Sequence, residues 1–565
     1  MPAFRFPLPC TDGIKKHTPL LCILLLAAVL RFWGIGFGLP HERCRPDEFT
    51  IAVTALGMGG GDLNPHFFNY PTLFIYLCFA GYVLYYLAGH VLGVFQNSLD
   101  LGLAFFIDPS PFYLISRTLS ALAGVGSIYV LYVLCRRFFN QRIAGLAALL
   151  LAVAPLHVRD SHFGVTDVFM LLLTLIALYY VLAFHESGTA KDAGLAALFA
   201  GLAASSKYTA ALILAPLALI ILLQLRDARR RSALLRIGGL SLVVFALAFF
   251  FTSPYVLLDF TNFGKDYSFE SDHLAKGHLG ILLGRGWLYH LRFSLFHGLG
   301  GPFLIAGLTG LVLLAVNNRS MAPALLCFPL VYYLAIGRGY TVFCRYSLPL
   351  APFLAIGAAY LIAEVRRRSL PAATIIAVAA IVPAMTVSIQ SDYLLTQTDS
   401  RVLATEWFKE NVHRPASVLH ACSIWGAPRL AMEPIGLAVV DSQRVRNNPV
   451  LDRLRQMRLD YFSRHRIPVY RQFLDQAKPP AVFPPQQLPE WVIVEQSALT
   501  SQFTLRPETA AMLAERYQLR HTIVAAALPE RRNHYDQQDA FYLPLRGFHG
   551  VTRPGPNLSI YQIKS

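Results

Sequence analysis

The chain is poor in charge. Only 15% of its 565 residues are Asp, Glu, Lys or Arg, against about 25% in an ordinary globular domain. A wholly water-soluble protein of this length needs more polar surface, so that class is excluded. Cysteine is sparse as well. The eight thiols (10, 22, 44, 78, 135, 327, 344 and 422) are scattered, with no CxxC and no metal-ligand spacing, and read as small packing residues. Beyond Ile389 no apolar run is long enough to span a bilayer. No stretch resembles a nucleic-acid module, which leaves the net charge of +16 to be explained otherwise.

What is present is apolar. Hydrophobic residues make up 55% of the chain, and runs of roughly 17–25 of them, the spanning length, recur from Thr18 to Ile389. From Gln390 to Ser565 the pattern is mixed and charged. The expected architecture is a polytopic α-helical membrane module, residues 1–390, followed by a soluble α/β domain, residues 391–565. Lys15-Lys16 ahead of the first apolar segment marks an uncleaved anchor with the N-terminus in the cytoplasm. In such a protein the excess of 49 basic over 33 acidic residues belongs to cytoplasmic loops, so nucleic acid is not an expected partner. Ala- and Leu-rich runs with Arg-dominated loops point to a bacterial inner membrane.

Charge also sets a parity test. Arg136-Arg137, the cluster Arg226 to Arg236, and Arg366-Arg367-Arg368 should share the cytoplasmic side, with Asp47-Glu48 outside. Two apolar runs, Tyr70–Phe95 and Pro111–Leu134, lie between Glu48 and Arg136, so one of them does not cross. Tyr70–Phe95 is rich in aromatic residues, which favour the interface, and reads as an outer juxtamembrane helix. Eleven crossings follow, at about 18–39, 113–135, 141–156, 165–184, 193–206, 209–225, 237–256, 296–316, 321–337, 346–364 and 371–389, with the C-terminal domain outside.

This topology gathers acids, histidines and isolated cations on the outer face. Asp47 and Glu48 follow Arg45-Pro46 directly after the first membrane segment, where acids are rare unless they line a polar cavity. A desolvated carboxylate is a good general base; equally, acids behind a proline suit the first turn of a helix. Asp167, after Thr166, has the same two readings. Lys207 and Arg345 suit an anionic head group, with a snorkelling lysine as the plain alternative. His157, Asp160 and His162 are spaced either for a metal or as hydrogen-bonded interfacial residues. A base beside phosphate-binding cations suggests a lipid-phosphate substrate whose phosphate leaves; a transferred sugar would pass through an oxocarbenium-like state. The rival reading, a transporter of an anionic lipid or sugar, lacks the expected internal repeats and mid-membrane charges.

Six further motifs stand in order along residues 18–390. They are Tyr70-Pro71-Thr72-Leu73, Ser116-Arg117-Thr118-Leu119-Ser120, Thr166-Asp167, Ser206-Lys207-Tyr208, Ser253-Pro254-Tyr255 and Arg345-Tyr346-Ser347-Leu348-Pro349-Leu350. With Pro46-Asp47-Glu48 this set resembles the GT-C class glycosyltransferases that use polyprenyl-phosphate sugars. It is similar to the family of protein O-mannosyltransferases and lipid A aminoarabinose transferases, glycosyltransferase family 39. The resemblance implies an active site on the extracytoplasmic face, an undecaprenyl- or dolichyl-type phosphate sugar as donor, and a lipid, glycan or protein acceptor. It implies Asp47 as base with Glu48 beside it, Asp167 as the second acid, and Lys207, Arg345 and Tyr346 near the donor phosphate. Tyr70, His157, Asp160 and His162 are accessory candidates. The aminoarabinose transferases carry Glu-Lys where this chain has Asn69 and Tyr70, which removes one metal ligand and one cation; no cofactor is assigned and a divalent metal stays open. The loop Leu257–Leu295 is too short for the β-trefoil of the protein mannosyltransferases. In the tail, Asp399 to Trp407, Tyr535 to Tyr542 and Arg553 to Asn557 resemble the soluble domain of bacterial members.

Overall fold

A computed structural model describes residues 14–278, 280–431, 449–475 and 488–564; Cys10 lies outside them. Helix α1 (Ile14–Phe32) ends where Gly34 and Gly38, both at positive φ, turn the chain toward α2 (Pro46–Gly57). Next come α3 (Leu73–Val91), α4 (Ser98–Ile107), α5 (Ser110–Phe138), α6 (Gln141–Val153) and α7 (Pro155–Ser161), the last two bent by 61°. Then follow α8 (Thr166–Ser187), α9 (Ala190–Ala204), α10 (Leu214–Gln224), α11 (Arg231–Thr252), the short α12 (Tyr255–Leu258) and the amphipathic α13 (Phe260–Lys276). Helices α14 (Gly286–Tyr289) and α15 (Phe296–Leu299) lead to α16 (Gly301–Asn317) through a 115° bend at Gly300, whose φ of +95° a side chain would resist. The module closes with α17 (Ala322–Ile336), α18 (Ala351–Arg366) and α19 (Leu370–Leu395).

Among the described residues, six helices are long and apolar enough to cross a membrane, or up to eight if each bent pair is one span. This makes the chain an integral membrane protein. The expected eleven is not reached, because four of the runs, at 18–39, 193–206, 209–225 and 321–337, form shorter helices. An apolar run read from sequence includes the turns at its ends; a spanning helix must supply its full rise of 1.5 Å per residue without them.

One of the six, α3, is the segment expected to lie along the rim, and its contacts describe that course. Its first amide donates to the Ser205 carbonyl at the end of α9, and Thr72 bonds to Thr252 and Ser253 at the end of α11. Phe74 packs on Phe169 in the first turn of α8. Farther along, Gly81 abuts Ile115, and Tyr82 and Tyr85 pack on Phe112, all near the start of α5. Both halves of α3 thus touch the same end of the bundle, with Leu84, Leu87 and Val91 left exposed as an apolar face.

The tightest packing in the bundle joins α16 to α18. A Cβ on Gly310 would stand 1.7 Å from the Gly357 carbonyl oxygen, and one on Gly357 would stand 2.2 Å from that of Gly307. Without a hydrophobic drive between helices in lipid, such small residues let backbones approach closely. Gly310→Val should therefore destabilise the protein by at least about 1–3 kcal/mol, the usual penalty for overpacking, while Leu308→Val on the exposed face of the same helix should not. Melting midpoints in detergent check the pair.

Helix α19 runs past residue 390 to Leu395, and α20 (Ser400–Asn411) begins the tail. There α21 (Pro449–Arg464) and α22 (Pro507–Arg516) flank a five-stranded sheet of order β2-β1-β3-β5-β4. The strands are β1 (Ser417–Ala421), β2 (Arg471–Leu474), β3 (Trp491–Gln496), β4 (Tyr517–Ile523) and β5 (Asn557–Ile563). β1 pairs in parallel with β2 and β3, whereas β5 runs antiparallel to β3 and β4. The expected α/β tail is present, and β2, β4 and α21 are elements that sequence pattern did not single out. The sheet sits against the carboxylate end of the helical module. Phe541 wedges between Phe37 and Phe163, with ring centroids 5.8 and 4.9 Å away, and Arg429 pairs with Glu42 at 2.7 Å.

Candidate active site

Pro46 opens α2 behind an extended Arg45, so Asp47 and Glu48 fall in its first turn. The helix-start reading of this pair is seen in the structure. The acids suit the positive end of the helix, and successive helical residues point about 100° apart, which sends the two carboxylates to different partners.

Glu48 is fully buried. Arg117 of α5 grips it in a fork, Nε to Oε1 at 2.9 Å and Nη2 to Oε2 at 2.7 Å, and the Gly164 amide donates to Oε1 at 2.7 Å. Arg117 also donates to the Ile35 and Phe37 carbonyls and lies over the Phe37 ring. This closed network ties the first loop to α5 and to the turn before α8; it leaves Glu48 no open side for a substrate.

Asp47 instead points away from this closed network. Its Oδ2 lies 2.9 Å from Arg345 Nη2 and 3.5 Å from Arg45 Nη2. Its side chain keeps 24% of its surface accessible, while Glu48, Asp160, Asp167 and Asp539 keep 4% or less. Asp47 is therefore the reachable carboxylate of this cluster. Asp167, in the first turn of α8, pairs with Lys207 at 2.6 Å, and the Lys207 ammonium stands over the Tyr346 ring at 4.8 Å. Tyr346 follows Arg345 in a 3₁₀ turn that leads into α18, so the two ion pairs are neighbours. Tyr70 sits between them: burial, with Asp47 next in effect, pushes its phenol well above the ordinary range. Asp47, Tyr70, Asp167, Lys207, Arg345 and Tyr346 thus converge as one polar cluster.

The accessory residues behave differently. His157 turns away, its Nδ1 2.8 Å from Arg31 Nη2, and His162 is held by the Val158 and Trp33 carbonyls. The two rings thus take different partners, a guanidinium for His157 and two backbone carbonyls for His162. Asp160 is buried near Arg159, at 3.6 Å from Nε, but neither of its carboxylate oxygens has a hydrogen bond. Among the described residues no group of three or more His, Cys, Asp or Glu is placed to hold a metal ion. At the departure from the family pattern, the Asn69 side-chain amide donates to Glu270 of α13, which also faces His273. Burial works to raise the Glu270 carboxyl, but these hydrogen bonds hold it below its ordinary value. His278, hydrogen-bonded to His273 at 2.7 Å, is pressed down to about 4, by burial first and then by that neighbour.

The residue that sequence reasoning missed comes from the tail. Asp539 enters the cluster and pairs through Oδ1 with Arg45, also meeting Arg345 at 3.4 Å, and through Oδ2 with Arg159 at 3.0 Å. Burial alone would raise its carboxyl; the guanidinium groups of Arg45, Arg345 and Arg159 keep it below the ordinary value. Its neighbours anchor the same segment, since Asp536 accepts from the Cys344 amide at 2.7 Å and Gln538 accepts from the Val342 amide at 2.6 Å. The only signal in the sequence was the acid-rich run Tyr535 to Tyr542, which has no catalytic spacing. Arg45, Arg159 and Arg345 still have N–H groups without hydrogen-bond partners, at Arg45 Nε and Nη2, Arg159 Nε and Arg345 Nε. Three guanidiniums with spare donors suit an anion with several oxygens.

Comparisons with known proteins bear on the fold and the reaction class. Residues 114–256 match the family described as dolichyl-phosphate-mannose-protein mannosyltransferase. No curated protein matches the chain by sequence. The structure of ArnT from Cupriavidus metallidurans bound to undecaprenyl phosphate is similar over 97% of this chain and 99% of that one, at 14% identity and a TM-score of 0.53. The apo form of ArnT covers 69% and 67%, at 19% identity and a TM-score of 0.48. An Archaeoglobus fulgidus oligosaccharyltransferase in complex with Zn and sulfate covers 71% and 60%, at 15% identity and a TM-score of 0.44. The fold is that of a GT-C membrane protein with a C-terminal α/β domain. The likeness to the mannosyltransferase and aminoarabinose-transferase group, read first from ordered motifs, recurs in the family match and in the fold.

Two substitutions probe this arrangement. Glu48→Ala leaves Arg117 buried without its carboxylate and should cost about 3–5 kcal/mol of stability, seen as a lowered melting midpoint of the whole chain. Asp539→Ala should loosen the tail, so that limited proteolysis cuts residues beyond 395 faster than in the unsubstituted protein while the helical module stays intact.

Proposed function

We propose that this chain is a membrane glycosyltransferase that moves one monosaccharide from a polyprenyl-phosphate donor to an acceptor hydroxyl, with inversion, on the extracytoplasmic face. The observation that carries the proposal is Asp47, an accessible acid set beside Arg345 and next to the Asp167–Lys207 pair. The family match and the ArnT fold support the reaction class.

In the resting site Asp47 is engaged by Arg345. A donor phosphate offers Arg345 and Lys207 a stronger partner, because a phosphate accepts bidentate, charge-assisted hydrogen bonds. Drawing Arg345 to the phosphate frees Asp47 to take the proton of the acceptor hydroxyl. That oxygen attacks the anomeric carbon, the bond from this carbon to the phosphate oxygen breaks, and its electron pair leaves with the polyprenyl phosphate. Lys207 and Arg345 stabilise the departing negative charge. Asp167 keeps the Lys207 ammonium in place, Tyr70 and Tyr346 wall the sugar subsite, and Glu48 holds α2 through Arg117. In this reading residues 391–565 form an extracytoplasmic domain that closes the site through Asp539, and the N-terminus is cytoplasmic, in a bacterial inner membrane.

Asp47→Asn keeps size and hydrogen bonding but removes the base. Transfer from the correct donor should fall by about 10²–10⁴, the usual contribution of a general base, with binding of polyprenyl phosphate preserved. The donor and acceptor are first identified by mass spectrometry of envelope lipids, glycans and proteins from a deletion strain. Full transfer by the purified variant overturns the assignment, and a proteoliposome flux needing no lipid-linked sugar would establish a transporter instead.

A further inference from the structure

A cavity of about 630 Å³ lies at the opposite end of the bundle from the carboxylate cluster, among α6, α18 and α19. Its two ends differ in chemistry. The mouth carries Arg142 from the first turn of α6 and Arg366 and Arg367 from the end of α18; the walls are apolar, with Ile143, Ala377 and Val382 among them. Arg367 is balanced by Glu364 at 2.9 Å. The guanidiniums of Arg142 and Arg366 make no hydrogen bond or ion pair among the described residues.

The N-termini of α6 and α19, capped by their own Asn140 and Ser369, and the C-terminus of α18 meet at this mouth, so helix ends of both signs are present and the side chains set its charge. The mouth therefore holds an excess of positive charge, and the walls leading from it are open to hydrocarbon along Val378 and Val382, which stay exposed on α19. An ionic end continuous with an apolar trough fits an amphiphile, and basic pockets between membrane helices suit anionic head groups.

We propose that this crevice binds an anionic phospholipid, with Arg142 and Arg366 on its phosphate and an acyl chain along the wall of α19. A zwitterionic lipid brings its own ammonium to the mouth and meets the uncompensated arginines less favourably. The site is remote from the transfer chemistry and does not depend on it.

The test uses the full chain in detergent and native mass spectrometry, titrated separately with phosphatidylglycerol, with phosphatidylethanolamine of matched acyl chains, and with inorganic phosphate. Phosphatidylglycerol should form the 1:1 adduct at a concentration at least about fivefold lower than phosphatidylethanolamine, as expected for two arginines at an interface. The double variant Arg142→Gln/Arg366→Gln should erase that preference. Ala377→Phe, which fills the trough and leaves both arginines, should weaken the phosphatidylglycerol adduct by a similar factor and serves if the double variant does not fold. Equal binding of the two lipids, or a preference unchanged in either variant, overturns the proposal. Inorganic phosphate binding as tightly as phosphatidylglycerol overturns the lipid assignment in favour of a free anion.

Discussion

Three buried arginines meeting two acids determine how this protein is assembled. Arg45 comes from the first loop, Arg159 from α7, Arg345 from the turn before α18, and all reach Asp539 from the tail, while Asp47 shares Arg45 and Arg345. Each of these charges alone would be costly to bury, and a guanidinium left without its carboxylate costs several kcal/mol. The cluster is stable only when four separated parts of the chain are present together. The docking of the tail and the shaping of the membrane site are therefore one event, with Phe541 between Phe37 and Phe163 as its apolar counterpart.

The same physics divides the paired acids. Asp47 and Glu48 are adjacent in sequence and share a helix dipole, yet Glu48 is closed in an ion-pair network and Asp47 keeps an accessible side. The division follows from helix geometry and from where the arginines stand. Arg117 approaches from α5 with a full fork for Glu48, leaving no open carboxylate oxygen. Arg345 approaches Asp47 from the side of the cluster and leaves a quarter of its surface reachable.

Much of this was legible in the sequence because it rests on local patterns. The order of apolar runs and the α/β character of the tail follow from hydrophobic period and turn residues, which act over short distances. The convergence of Asp47 with Asp167, Lys207 and Arg345 was legible as well, since topology alone puts those helix ends on one face. The number of spans was read less well, because the runs at 18–39, 193–206, 209–225 and 321–337 take in the turns at their ends and form shorter helices. His157 and His162 suggested a metal by spacing; only the positions of Arg31 and the Trp33 carbonyl show what each ring bonds to.

Asp539 was illegible for a deeper reason. Its role rests on contacts with residues roughly 200 to 500 positions away, and nothing in the run Tyr535 to Tyr542 distinguishes a surface acid from one aimed at three arginines. Pattern reading finds charges that a helix or a membrane makes expensive, because those costs are local. It does not find a charge whose cost is cancelled by partners in another domain. For that reason no catalytic motif was read in the tail, whereas the structure pairs its Asp539 with Arg45, Arg159 and Arg345 of the helical module.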